Sequence, residues 1–144
     1  MAEGEVGGGC LCGEVRFRVR LPSLMCVHCH CSMCRRNHGA AYVTWFAVPP
    51  AGVTVERGGE RLVRYASSEH GSRSFCGRCG TAIFCENSTH PERVDIPLAV
   101  MDGPIDRVPQ LHVFFDSGAP WVAIGDELPR LGGATGVELL KKRE

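Results

Sequence analysis

Cys26-Val27-His28-Cys29-His30-Cys31-Ser32-Met33-Cys34-Arg35-Arg36 is the stretch around which the chain is organised. It holds four of the nine cysteines, two of the six histidines and an adjacent pair of arginines. In extended backbone successive side chains face opposite ways, so Cys29 and Cys31 point together while His28 and His30 point to the other side. A tight turn through Ser32 and Met33 then swings Cys34 back toward the sulfur pair. Three thiolates converge from one short segment, and no fourth ligand is imposed on them. That is the donor pattern of a zinc centre with an open position. The alternative is a closed structural site with Cys26, His28, His30 or His38 as fourth ligand, although strand alternation turns Cys26 away from Cys29.

Two further thiol pairs flank this stretch. Cys10-Leu11-Cys12-Gly13 opens a strand, and Cys76-Gly77-Arg78-Cys79-Gly80 forms a knuckle. Each pair is a bidentate claw, and two claws make a closed tetrahedral site of four sulfurs. The spacing therefore expects a structural zinc on Cys10, Cys12, Cys76 and Cys79, and two zincs per chain in all. Buried or disulfide-bonded cysteines are the other way to read the same four residues.

Working outward, the mostly β character is set by short alternating runs. Val15, Phe17 and Val19 alternate with Glu14, Arg16, Arg18 and Arg20, the mark of a half-buried strand. Residues 41–48 are aromatic and β-branched and end at Pro49-Pro50. Strands follow at 53–56 and 62–65, with Gly58-Gly59 expected as a hairpin turn between them. More are expected at 82–85, 94–100 and 112–115, and residues 35–39 form a helical turn that Gly39 stops. Residues 1–9 read as a mobile glycine-rich lead-in, of which 1–5 stand outside the domain. A zinc-stapled domain spans 6–131, and 132–144 form a tail or a short helix over 137–142.

Composition is that of an ordinary globular chain, with 44% hydrophobic and 22% charged residues. A formal net charge of zero favours neither nucleic acid nor an anionic membrane as partner. The apolar stretch 40–48 is too short to cross a bilayer, and the acidic, glycine-rich start is unlike a signal peptide. The chain reads as cytoplasmic, where cysteines bind metal more often than they form disulfides.

The donor set limits the chemistry. Three thiolates leave a dication at net minus one and push electron density onto it. Such a zinc ionises water less readily than one held by neutral ligands, yet accepts and ionises a substrate thiol. The residues point to thiol handling over hydrolysis.

The three motifs, with Gly8-Gly9 before the first and Arg73-Ser74-Phe75 before the last, resemble the glutathione-dependent formaldehyde-activating enzyme family. That family also includes centromere protein V. His112-Val113-Phe114, Pro120-Trp121 and Asp126-Glu127-Leu128-Pro129 are similar to its usual ending, so the likeness covers residues 6–131. The resemblance implies a β-tent of coiled antiparallel sheets, shared with the Rab-accessory zinc proteins. It implies structural zinc on Cys10, Cys12, Cys76 and Cys79, and catalytic zinc on Cys29, Cys31 and Cys34. It also implies condensation of formaldehyde with glutathione to S-(hydroxymethyl)glutathione, a carbon–sulfur lyase reaction in reverse.

Glutathione carries two carboxylates, so Arg35, Arg36 and Arg73 are candidates to bind it, with His38 or His112 to shuttle a proton. Trp45, Phe46 and Trp121 either wall the cleft or pack in the core. Two other classes compete. One is a non-catalytic zinc module that carries a thiol or docks a protein. The other is a type B methionine sulfoxide reductase with Cys85 as nucleophile, against which stands the Cys-x-Cys form of the first claw.

Overall fold

The computed structural model describes residues 4–140. In chain order its elements are β1 (Glu5–Gly9), β2 (Arg16–Arg20), β3 (Met25–Cys29), α1 (Ser32–His38), β4 (Val43–Val48), β5 (Val53–Arg57) and β6 (Leu62–Ala66). Then follow β7 (Gly71–Cys76), β8 (Ala82–Asn87), β9 (Val94–Pro97), β10 (His112–Val113), β11 (Leu131–Gly132) and β12 (Glu138–Leu139). The protein is mostly β, with antiparallel sheets and a single short α-helix among the described residues. The chain forms two compact units, one of residues 1–25 and 46–108, the other of residues 26–45 and 109–144.

In the first unit β1, β2 and β5 form an antiparallel sheet. Val15, Phe17 and Val19 are buried, as the alternation requires, while the arginines between them pair outward. Arg16 meets Asp102, and Arg18 meets Glu5 and Glu56. The expected lead-in is largely a strand: Gly7, Gly8 and Gly9 of β1 pair with Arg18, Phe17 and Arg16. Glycine is needed there because a Cβ on Gly8 would lie 2.7 Å from the Phe17 ring and 2.9 Å from the Met101 sulfur. Only Met1 to Glu3 of that lead-in fall outside the described residues.

The same unit holds the antiparallel run β9-β8-β7-β6, with Ile83, Phe84, Val94 and Ile96 in its core. Phe84 meets Phe17 edge to face at 5.1 Å between centroids. The expected β5–β6 hairpin does not form: β5 pairs with β2, and β6 pairs with β7. Gly58 sends the chain from one sheet to the other in a left-handed conformation, φ 78°, followed by a 3-10 turn over Gly59–Arg61. Its α-hydrogen lies so close to Glu14 that a Cβ would stand 2.1 Å from the carbonyl oxygen.

In the second unit β10 runs parallel to β3, placing His112 beside His28 and Val113 beside Cys29. The helix starts earlier than expected: Ser32 and Met33 are its first turn, not a connecting bend. Gly39 ends it at φ 60°, with its N–H on the Arg35 carbonyl. At the far end β11 and β12 pair antiparallel, Leu131 opposite Leu139, where a tail or a short helix over 137–142 was expected. Gly133 and Gly136, both at positive φ, fold the chain back so that Glu138 and Leu139 pair with Gly132 and Leu131. Lys141 and Lys142 of that stretch lie outside the described residues.

Candidate metal centres

The four-thiol cluster belongs to the first unit. Cys10 and Cys12 sit on the turn between β1 and β2, closed by Gly13 N–H on the Cys10 carbonyl at 3.1 Å. Cys76 ends β7, and the Gly80 N–H bonds its carbonyl at 2.8 Å to form the knuckle. Gly13 and Gly80 take φ values of 80° and 82°, which side-chain-bearing residues resist. The Leu11 N–H donates to Thr81 Oγ1 at 3.0 Å, tying one claw to the other.

The sulfurs of Cys10, Cys12, Cys76 and Cys79 all lie within 4.8 Å of one another, with Cys10–Cys12 at 3.5 Å and Cys12–Cys76 at 3.9 Å. Four sulfurs about 2.3 Å from a tetrahedral zinc stand roughly 3.8 Å apart, so the spacing fits that ion. The Thr81 hydroxyl and backbone hydrogen bonds pull the Cys79 thiol down to about 5. The Val15 N–H donates to Cys10 Sγ at 3.3 Å, again favouring thiolate.

The three-thiol cluster belongs to the second unit. Cys29 ends β3, and Cys31 is the N-cap of α1, its sulfur accepting the Cys34 N–H at 3.2 Å. That bond curls the first helical turn and brings the Cys34 sulfur to 3.6 Å from that of Cys29. The group comprises Cys29, Cys31 and Cys34, with no fourth Cys, His, Asp or Glu joining it among the described residues. Close contact with the Cys31 and Cys34 thiols, together with burial, pushes the Cys29 thiol far up. Three adjacent thiols ionise together only around a cation, and a divalent thiophilic ion suits them.

The other expected site residues are placed unevenly. Arg35 donates from Nε to the His30 carbonyl at 3.4 Å and from Nη2 to the Ser117 carbonyl at 2.9 Å. Arg36, one position on, is exposed. His38 is half-buried, its ring edge-on to Trp45 at 5.2 Å. Arg73 is buried on β7 of the first unit, opposite Tyr65 and Cys85. Trp45 and Phe46 are core residues, whereas Trp121 is 73% exposed. Cys85 is half-buried on β8 opposite Asp95.

His112 is fully buried at the centre of a histidine cluster that sequence reasoning did not assemble. Its Nδ1 lies 2.8 Å from His30 Nε2, and its Nε2 lies 3.0 Å from both oxygens of Asp126. His28 packs on its other side, ring centroids 4.9 Å apart, with Nδ1 2.8 Å from Thr44 Oγ1. Burial, reinforced by the neighbouring His112, holds His30 down to about 4. The legible signal was alternation, which put His28 and His30 on one face. The β3–β10 register and the loop residue Asp126 had no local signature.

Two cysteine groups on a β scaffold, one of four donors and one of three, stand at a spacing that could hold metal ions, and this defines the class. Residues 5–117 match the sequence model of the family described as glutathione-dependent formaldehyde-activating enzyme. A relative from Halomonas elongata, provisionally named as such an enzyme, is 31% identical over 124 residues, covering 81% of this chain and 79% of the relative. A crystal structure of a Rhodobacter sphaeroides protein superposes with a TM-score of 0.59 at 28% identity, over 72% of this chain and 97% of that one. The chain belongs to the glutathione-dependent formaldehyde-activating enzyme family.

Proposed function

We propose that the protein is a zinc-dependent carbon–sulfur lyase-type enzyme that joins formaldehyde to glutathione, giving S-(hydroxymethyl)glutathione. One observation carries this reading: the donor atoms of Cys29, Cys31 and Cys34 converge within 4.8 Å of one another as a group of three. Zinc held there supplies a cation that favours ionisation of one further sulfur. The family match and the Halomonas elongata relative support glutathione as that thiol. A second zinc on Cys10, Cys12, Cys76 and Cys79 is structural. The β-tent arrangement, a domain over 6–131 and a cytoplasmic setting complete the reading.

The chain's own residues divide the work. Cys31 sets the geometry of the thiol triad, because the same sulfur caps α1. Arg35 pins α1 to the Ser117 carbonyl, so the helix holds its place when a ligand arrives. Arg36, exposed and next on the helix, is the residue we assign to grip a glutathione carboxylate. In the reaction the ionised glutathione sulfur adds to the formaldehyde carbon and the carbonyl π bond opens onto oxygen. The proton lost from sulfur ends on the new hydroxyl. Holding both reactants together and ionising the thiol lower the barrier by proximity and nucleophile activation.

Exchange NMR on zinc-loaded protein tests this, by following transfer between glutathione and S-(hydroxymethyl)glutathione. The expected result is a rate above the spontaneous one that Cys31→Ala abolishes while the four-thiol zinc is retained. Saturable thiol binding without added rate would instead make the protein a thiol carrier, and absence of both would end the proposal.

A further inference from the structure

The His28, His112 and Asp126 cluster lies in the second unit and involves none of the cysteines. One ligand atom from each, two ring nitrogens and a carboxylate oxygen, lie within 4.8 Å of one another. We propose that these three residues form a separate nitrogen- and oxygen-donor site for a borderline divalent cation such as Co2+, Zn2+ or Fe2+.

The surroundings of each donor are those of a metal ligand. A coordinating histidine is normally held by a hydrogen bond at its other ring nitrogen, which fixes tautomer and ring plane. His28 is held in this way by Thr44 Oγ1 at 2.8 Å, and His112 by His30 Nε2 at 2.8 Å. In both rings the anchored atom is Nδ1, so Nε2 is the nitrogen left to offer. Asp126 is anchored as well, through the Leu128 N–H to Oδ1 at 3.0 Å. Its two oxygens lie 3.0 Å from His112 Nε2, a separation that ligands sharing one ion about 2.0–2.1 Å from each donor also show. A cation there takes the place of the proton that otherwise lies between ring and carboxylate.

Two neutral imidazoles and one carboxylate leave open coordination positions, the facial arrangement that suits first-row divalent ions. Asp126 is more than a third exposed, so the open side faces solvent. Arg130 is the opposing charge, 3.6 Å from Asp126 Oδ1. Its guanidinium is engaged elsewhere, with the carbonyls of Leu128, Ile124 and Asp126 at 2.6, 3.4 and 2.8 Å, so it need not leave for a cation to bind. The thiols do not compete for this position, since alternation along β3 turns His28 away from Cys29.

The test adds Co2+ to protein whose cysteine sites are already filled with zinc. The expected result is one further equivalent bound, with weak visible ligand-field bands and no sulfur-to-cobalt charge transfer. Asp126→Asn and His28→Gln should each weaken that equivalent at least tenfold and leave the zinc content unchanged. Asp126 is at the surface, so its variant keeps the fold, and a near-ultraviolet circular dichroism spectrum confirms it. The proposal is overturned if no further equivalent binds, if its spectrum carries sulfur charge transfer, or if both variants bind as well as the parent.

Discussion

The two cysteine clusters use the same atom in opposite ways. In the first unit the four donors come from two segments more than sixty residues apart, and two glycines at positive φ bend each claw to the other. In the second unit the three donors lie within one local segment, and the turn that gathers them is the N-cap of α1. A metal in the first cluster crosslinks distant chain and so acts on folding. A metal in the second would close almost no loop, which fits the reactive role proposed for it. On the proposed assignment, ligand separation along the chain, more than ligand type, divides structural from chemical work.

The sharpest way to break this contrast is to remove one sulfur from each cluster. Structural zinc binding is worth about 10–16 kcal/mol, as much as a whole domain's stability of about 5–15 kcal/mol. Cys79→Ser should therefore abolish the cooperative thermal transition, while Cys31→Ser keeps it and loses only thiol-dependent activity. Calorimetry on both proteins decides the matter, and equal melting would erase the distinction.

Next in size are the glycines that position each region. Gly58→Ala puts a Cβ 2.1 Å from the Glu14 carbonyl in a left-handed backbone and should cost several kcal/mol. Gly39→Ala, at φ 60° with nothing within 4 Å of the new Cβ, should cost only about 1 kcal/mol. Urea midpoints of the two variants give the comparison.

A third prediction concerns pH and the first unit alone. Burial raises the Asp95 carboxyl to about 6, against the attraction of Arg93. The folded state therefore binds this proton more tightly than the unfolded chain does. Its contribution is fully present below pH 4 and is lost as pH rises from about 4 to about 6, on the order of 2–3 kcal/mol. Asp95→Asn should be more stable than the parent at pH 7.5, and the difference should vanish at pH 4. A difference independent of pH would refute this account.

The smallest expected effect sharpens the second cluster. Arg36→Ala should raise the KM for glutathione several-fold with little change in melting temperature. Arg35→Ala should cost about 1 kcal/mol of stability through its lost carbonyl bonds. Steady-state kinetics beside thermal melts separates the two.

Much of this was legible because it is local. Cys-x-Cys and Cys-x2-Cys offsets, the alternation of Val15, Phe17 and Val19, and the stop at Gly39 are set by neighbours within a few residues. What could not be read was set by partners far along the chain. Gly58-Gly59 looks like a hairpin, but the sheet that receives β5 is decided by β2. Gly8 looks like part of a loose lead-in until Phe17 and Met101 are seen to need the space a side chain would fill. Asp126 sits in a loop with no periodicity, and only the β3–β10 pairing brings His112 into line with His28.

The interleaving of the two units along the chain fixes the order in which they can be completed during synthesis. Residues 46–108 are added between the opening segment of the second unit and the one that finishes it. The four-sulfur clamp has all its donors once Cys79 emerges, when β10 does not yet exist. Until Pro109 and beyond leave the ribosome, Cys29, Cys31 and Cys34 stand on an unfinished support. The four-thiol group is thus assembled on a nearly whole body, and the three-thiol group is the later of the two to gain its surroundings.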